Sequence, residues 1–296
     1  MKWMQEKNTE HCSGDYLVEA KDCESCFDAE YLEQSKYCYD LKKGDKVSFQ
    51  NYDLGAFGVG IEASYEGGGV GYNVSHVLFC ENVWDSSSDV YYSQFCMQSQ
   101  RVFGSCSLRH GKNMVMNKAY SAEEYDRLVA RIIDHMKETG EWGEFFPIQH
   151  SPLGYNESVA MEYFPLTKED VLKRGWSWYE EKEPDYSEVS KKIPAAKLPT
   201  QIDDIPDDIL NWAIECEQTG RLFKIQKLEL DFYRRMKLPI PRVHPDLRHA
   251  MRFQLRNPRH LWDRSCDKCG KGIQTSYSSE RPEKVYCEEC YLKEVY

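Results

Sequence analysis

Near its carboxyl end the chain carries Cys266-Asp-Lys-Cys269 and, after seventeen intervening residues, Cys287-Glu-Glu-Cys290. A two-residue gap lets both sulfurs of a tight turn face one point, and a second such turn completes a tetrahedral thiolate set. Gly270 supplies the positive φ that the first turn wants. Zinc is the expected ion, and four protein thiolates leave it no open position, so the expected role is structural. Residues 273–286 hold Thr275, Tyr277, Val285 and Tyr286, which suit a hairpin turning at 278–282; residues 291–296 suit one helical turn. A finger this small has no self-sufficient core, so metal binding is expected to supply most of its folding free energy, on the order of 10 kcal/mol.

The rest of the chain is long enough for about two domains. Its 41% apolar and 13% aromatic content suffices for a core, and a net charge of −11 does not mark it as disordered. No run of eighteen apolar residues marks a membrane span, and the first ten residues lack the apolar centre of a signal peptide. Twelve cysteines without a secretion signal point to free thiols in a reducing, cytoplasmic setting. Charge is uneven: residues 1–220 carry 21 basic and 39 acidic side chains, 221–264 carry 12 and 4, and 265–296 carry 5 and 6. A basic island in an acidic chain asks for an anionic partner, or for the chain's own acidic part.

From His11 to about Tyr120 the sequence reads as many short strands separated by small polar residues, among them 46–52, 74–80, 90–96, 101–106 and 113–116. Cys12, Cys23, Cys26, Cys38, Cys80, Cys96, Cys106 and Met116 recur at irregular steps, often ten to twelve residues. Stacked rungs of a β-solenoid give such a pattern, because each rung puts a small apolar side chain into a narrow interior. Cys12, Cys23, Cys26 and Cys38 have a second reading, as a further metal site. The glycine clusters at 55–60 and 67–71 open no helix, so they are expected to be turns and not phosphate cradles.

Ser121-Ala-Glu-Glu124 is a capping box, followed at helical spacing by Tyr125, Leu128, Val129, Ile132, Ile133 and Met136 until Gly140. That helix suits the open end of a solenoid, although an ordinary packed helix has the same pattern. Shorter helices are expected at 157–164 and 167–174, with Trp142, Phe145, Phe146, Trp176 and Trp178 as a satellite core. The expected fold class is therefore α+β: a β-rich, solenoid-like body with capping helices over 1–179, a charged linker over 180–208, a basic segment over 209–264 and a four-cysteine finger over 265–296.

The basic segment contains Cys216-Glu-Gln-Thr219-Gly220, Phe223, Glu229, Phe232-Tyr233, Leu238, Pro241-Arg242 and Arg248. This order resembles a small family of treble-clef zinc fingers with the pattern C-x-x-C-G, Phe, E-x-x-F-Y, Leu, Pro-Arg and C-x-x-C-R. The resemblance sets the first knuckle on Cys216 and Thr219 and the second near His244 and Leu247, which leaves two metal-binding side chains and implies a degenerate copy held by Leu222, Phe223, Phe232 and Tyr233. Over most of its length the chain also resembles an uncharacterised family from small uncultivated bacteria and phages. The matching residues are Asn117-Lys118, Tyr120, the run 140–147, Pro239-Ile-Pro-Arg242 and 281–287. That resemblance implies no known activity.

Three functions follow as expectations. In the first, a non-enzymatic protein binds RNA or single strands through Arg234, Arg235, Lys237, Arg242, Arg248, Arg252, Arg256 and Arg259, with Arg264 continuing the strip and Phe232, Tyr233, Phe253 and Trp262 interleaved. In the second, the same strip docks on an acidic protein surface within an assembly, and carboxylate-paired arginines would favour it. Catalysis ranks third, since the eight histidines are scattered and no nucleophile or paired-carboxylate motif stands in a recognisable frame.

Overall fold

The computed structural model describes residues 1–42, 46–182 and 184–295. The chain divides into two compact units, Met1–Trp178 with Pro258–Tyr296, and Tyr179–Asn257.

The first unit is built on β-solenoid-like stacked strands. Gly14 pairs in parallel with Cys26, Ser75 with Ser88 and Gln100 with Lys112, a return after twelve or thirteen residues, while Glu6 meets Leu17 after eleven and Leu32 meets Ser48 after sixteen. Within a rung every third side chain points inward. Leu17, Ala20, Cys23, Cys26, Ala29, Leu32, Ser35, Cys38 and Leu41 are all buried, and the pattern resumes from Val74 through Cys80, Val90, Cys96 and Val102. The residue before each inward one in the first series, from Tyr16 to Asp40, has φ between 46° and 61°. A left-handed corner every third residue turns the chain through four short sides per rung. Such corners cost about 1 kcal/mol each away from glycine, and the parallel ladder on both sides of an inner rung offsets them.

This geometry explains why the interior is made of small residues. Ser87 donates its hydroxyl to the Trp84 carbonyl (2.7 Å) and accepts the Ser99 N–H one rung on (3.1 Å); Ser99 repeats this with Met97 and Gly111. Cys80 substitutes sulfur in the same arrangement, donating to Leu78 and accepting from Ser93. Cysteine and serine are thus alternative solutions to one problem, a compact inward side chain that satisfies the backbone at a corner. The glycine clusters follow the same logic: a Cβ on Gly58 would sit 2.4 Å from the Tyr72 nitrogen, and one on Gly67 would meet Leu54 and Val70 at 2.8 Å.

Helix α1 (Ala122–Thr139) has the expected capping box and a left-handed Gly140 C-cap. It does not plug the solenoid's end. Tyr125 and Val129 pack with Phe79, Tyr92, Phe103 and Val115, which come from successive rungs, so the helix lies along an outer face. The expected satellite core splits. Trp142 and Phe146 pack with Tyr92, whereas Trp176 stacks on Tyr155 at 5.5 Å. Helices α2 (Ala160–Tyr163) and α3 (Lys168–Lys173) follow, the latter capped by Thr167.

The second unit absorbs the segment expected to be a linker. Lys191–Pro194 pairs in parallel with Trp212–Glu215, which pairs antiparallel with Leu222–Phe223. Ile193, Leu198, Ile202 and Ile205 join Ile209, Ile214, Phe223, Ile225 and Leu230 in its core. Helices α4 (Lys227–Met236) and α5 (Pro245–Gln254) complete the unit. The chain then re-enters the first unit, where Trp262–Ser265 pairs antiparallel with Gly272–Thr275 before helix α6 (Glu288–Val295).

Candidate metal centre

The hairpin of Trp262–Ser265 and Gly272–Thr275 carries the first cysteine pair in its connection, not between the two pairs as the sequence suggests. The Cys266 N–H donates to the Lys271 carbonyl (2.8 Å) and the Gly270 N–H to the Cys266 carbonyl (2.9 Å), with Gly270 at φ 74°. Cys287 and Cys290 come from the start of α6, one turn apart. All four Sγ atoms, of Cys266, Cys269, Cys287 and Cys290, lie within 4.8 Å of one another.

The surroundings of Cys266 favour its anionic form. Burial pushes the Cys266 thiol up, but the backbone N–H groups of Cys269, Cys287 and Lys268 outweigh it and leave it lowered. The Cys287 N–H reaches the Cys266 sulfur at 3.3 Å. Cys290 is shifted the other way, by burial and by hydrogen bonds to the other three sulfurs. Four thiols this close together have the donor chemistry of a closed thiolate site, in which a bound cation would take the place of their protons.

Among the described residues these four cysteines form the one such group. Cys12, Cys23, Cys26 and Cys38 do not: they are inward-facing rung residues, and Cys23, Cys26 and Cys38 donate to carbonyls of their own and the next rung. The Cys80 thiol is pushed up to about 12 and that of Cys96 to about 11, both by burial. These interior thiols are packing groups, not nucleophiles.

The second unit repeats the knuckle bond for bond. Cys216 N–H donates to the Arg221 carbonyl (2.9 Å) and Gly220 N–H to the Cys216 carbonyl (3.0 Å), with Gly220 at φ 70°. Glu217 N–H donates to Arg242 as Asp267 N–H does to Val285, and the His244 N–H reaches the Cys216 sulfur at 3.3 Å as the Cys287 N–H reaches Cys266. His244 therefore stands where Cys287 stands, ahead of α5 instead of α6. Thr219 and Leu247 stand at the other two positions, so only Cys216 and His244 of the four carry a metal-binding side chain.

The predicted basic strip is largely occupied. Arg234 pairs with Asp207, Lys237 with Asp203, Arg242 with Glu217 and, more distantly at 3.9 Å, Arg248 with Glu229. Arg235 lies over the Phe232 ring at 5.7 Å, Arg252 is exposed and Arg256 is half-buried. Arg259 belongs to the first unit. Its side chain is 9% exposed, bonds to Asp28 (3.0 Å) and Asp40 (2.7 Å), and lies between the rings of Tyr39 and Tyr163. Arg264 donates to the carbonyls of Ser278 and Glu283. Sequence reasoning missed the carboxylates that answer these cations, because Asp203 and Asp207 fall in the stretch read as a linker.

Fold and site together define a mixed α/β protein with β-solenoid-like stacked strands and a four-cysteine cluster near its carboxyl end. Comparison with protein families, with curated proteins and with solved structures finds no match to this chain. No helix among the described residues is long and apolar enough to cross a membrane.

Proposed function

We propose that the protein is a non-enzymatic, zinc-stabilised assembly protein. In this reading Cys266, Cys269, Cys287 and Cys290 hold one structural zinc, and both knuckles are treble-clef-like modules of which one has lost its metal. The second unit is the partner-binding part.

The observation that carries the protein-partner reading is the balance of that unit. Residues 179–257 contain fourteen basic and fourteen acidic side chains. Several of its cations are paired within the unit, so the basic island is answered locally. Outward on α4, beside exposed Lys227, Asp231 and Arg235, stand three large apolar side chains: Leu228, Phe232 and Met236, spaced four residues apart, are 84%, 43% and 54% exposed. Aromatic, Met and Arg side chains on such a face are the composition of a protein interface core. Replacing Leu228 and Phe232 by Asp should abolish co-purification of the native partner while leaving the fold intact by circular dichroism. Unchanged recovery would sink the reading.

Nucleic-acid binding is the second reading, favoured by the Arg235 guanidinium on the Phe232 ring beside exposed Lys224 and Lys227. A labelled single-stranded RNA titrated across a salt series separates the two: about six phosphate contacts give a steep loss of affinity with salt, and an assembly protein gives weak binding throughout. Elemental analysis should find one zinc per chain, and cobalt substitution should give the visible bands of a tetrahedral thiolate site.

A further inference from the structure

We infer that the four-cysteine module is a metal-loaded cap on the solenoid's first rung, latched by Asp15, so that metal occupancy and the order of residues 1–12 are one equilibrium. This rests on the metal reading above.

A solenoid's first rung has no neighbour on one side, and its strand edge and interior need cover. Here the cover comes from the far end of the sequence. The Met1 ammonium donates to the Lys284 carbonyl (2.5 Å), the Tyr286 N–H to the Met1 carbonyl (2.9 Å) and the Trp3 N–H to the Tyr286 carbonyl (3.1 Å). Tyr286 is followed directly by Cys287, whose own N–H is on the Cys266 sulfur. From the hairpin, the Thr275 hydroxyl donates to the Trp3 carbonyl (2.6 Å).

The latch is Asp15, 1% exposed, on the second rung. One carboxylate oxygen accepts the N–H groups of Gln5 (2.7 Å) and Tyr16 (3.1 Å); the other accepts the hydroxyl of Ser276, which is fully buried. A single buried carboxyl group thus joins the first rung, the second rung and the cysteine module. The remaining outer strand of the first rung, Glu6–Glu10, carries charges at Glu6, Lys7 and Glu10, which discourage pairing with another edge.

The module's own core amounts to Cys266, Cys287 and Cys290 with Ile273 and Tyr286, too little to hold it folded alone. The ion therefore supports the contacts to Met1, Trp3 and Asp15, and these contacts in turn hold Tyr286 and so Cys287 in place. Coupling of this kind is reciprocal. Loosening the latch must weaken metal binding, and removing the metal must loosen the rung.

The test uses the full chain. Zinc affinity is measured by competition with a chromophoric chelator for the unsubstituted protein, Asp15→Asn, the milder Ser276→Ala, and Asp134→Asn as an exposed control. Loss of a buried charge-assisted bond should weaken zinc on the order of tenfold in Asp15→Asn, less in Ser276→Ala, and not in the control, with one zinc per chain retained. Hydrogen exchange, with and without zinc, should speed up over residues 1–12 on removal and stay slow over 100–119. Equal zinc affinity in both latch variants, or exchange over residues 1–12 indifferent to zinc, overturns the cap. A chain that takes up no zinc at all overturns the metal reading itself, which elemental analysis distinguishes.

Discussion

At Arg259 one side chain holds two aspartates on adjacent rungs and two aromatic rings. Arg259→Lys keeps the charge but loses the planar two-sided contact, and Arg259→Ala leaves two carboxylates facing each other without their cation. The alanine variant should cost about 3 kcal/mol in urea unfolding of the first unit, the lysine variant less. Interior cysteines predict the opposite behaviour. Cys80→Ser preserves a small donor and acceptor, so it should cost no more than about 1 kcal/mol, whereas Cys80→Leu overpacks the rung and should cost about 1–3 kcal/mol. Cys216 supplies a pH signature. Burial raises its thiol, yet the Thr219 hydroxyl and the His244 N–H overcome this and lower it to about 7. Because the unfolded chain then binds more protons, stability of the second unit should rise with pH from about 7 towards 9 and lose that increment as pH falls through 7. Melting temperatures in a pH series, with Cys216→Ser as the flat control, check the sign.

At the scale of elements, the two knuckles invite a direct experiment. Thr219→Cys, His244→Cys and Leu247→Cys together rebuild the missing donors on a scaffold whose backbone bonds match the four-cysteine module. The triple variant should bind a second zinc by elemental analysis; any one of the three alone should not. Much at this scale was legible in advance. The Ser121–Glu124 box, the Gly140 stop and the paired cysteines are local signals whose physics lies within a few residues, and each stands where the sequence put it. The hairpin was misplaced because Thr275 and Tyr286 have strand character for different reasons: one pairs within the module and the other pairs with Met1 and Trp3. The solenoid was read from spacings of ten to twelve, while the stronger signal was finer. Leu17, Ala20, Cys23, Cys26, Ala29 and Leu32 fall at every third position, a period that belongs neither to a flat strand nor to an α-helix and so escapes a search for either.

For the molecule as a whole, residues 180–208 and 258–296 show why boundaries were hard to see. Ile193, Leu198, Ile202 and Ile205 are sparse among Asp, Lys and Pro, and composition alone reads them as linker; each is buried because the second unit uses few large side chains economically. The tail looked autonomous because its four cysteines lie close together in the sequence, yet Thr275, Ser276 and Arg259 tie it to rungs more than two hundred residues earlier. A chain ending at residue 257 should therefore lose the stability of its first unit, not merely a tail, as a lowered denaturation midpoint will show. The three-residue corner has one more consequence. Residues 94–105 form a complete turn, with Cys96, Ser99, Val102 and Ser105 inward. A duplicate of those twelve residues, spliced in behind the original, would slot beneath it in phase and lengthen the body by about 4.8 Å, the separation of neighbouring strands. Height in this architecture is a modular quantity, open to lengthening by copying and not by redesign.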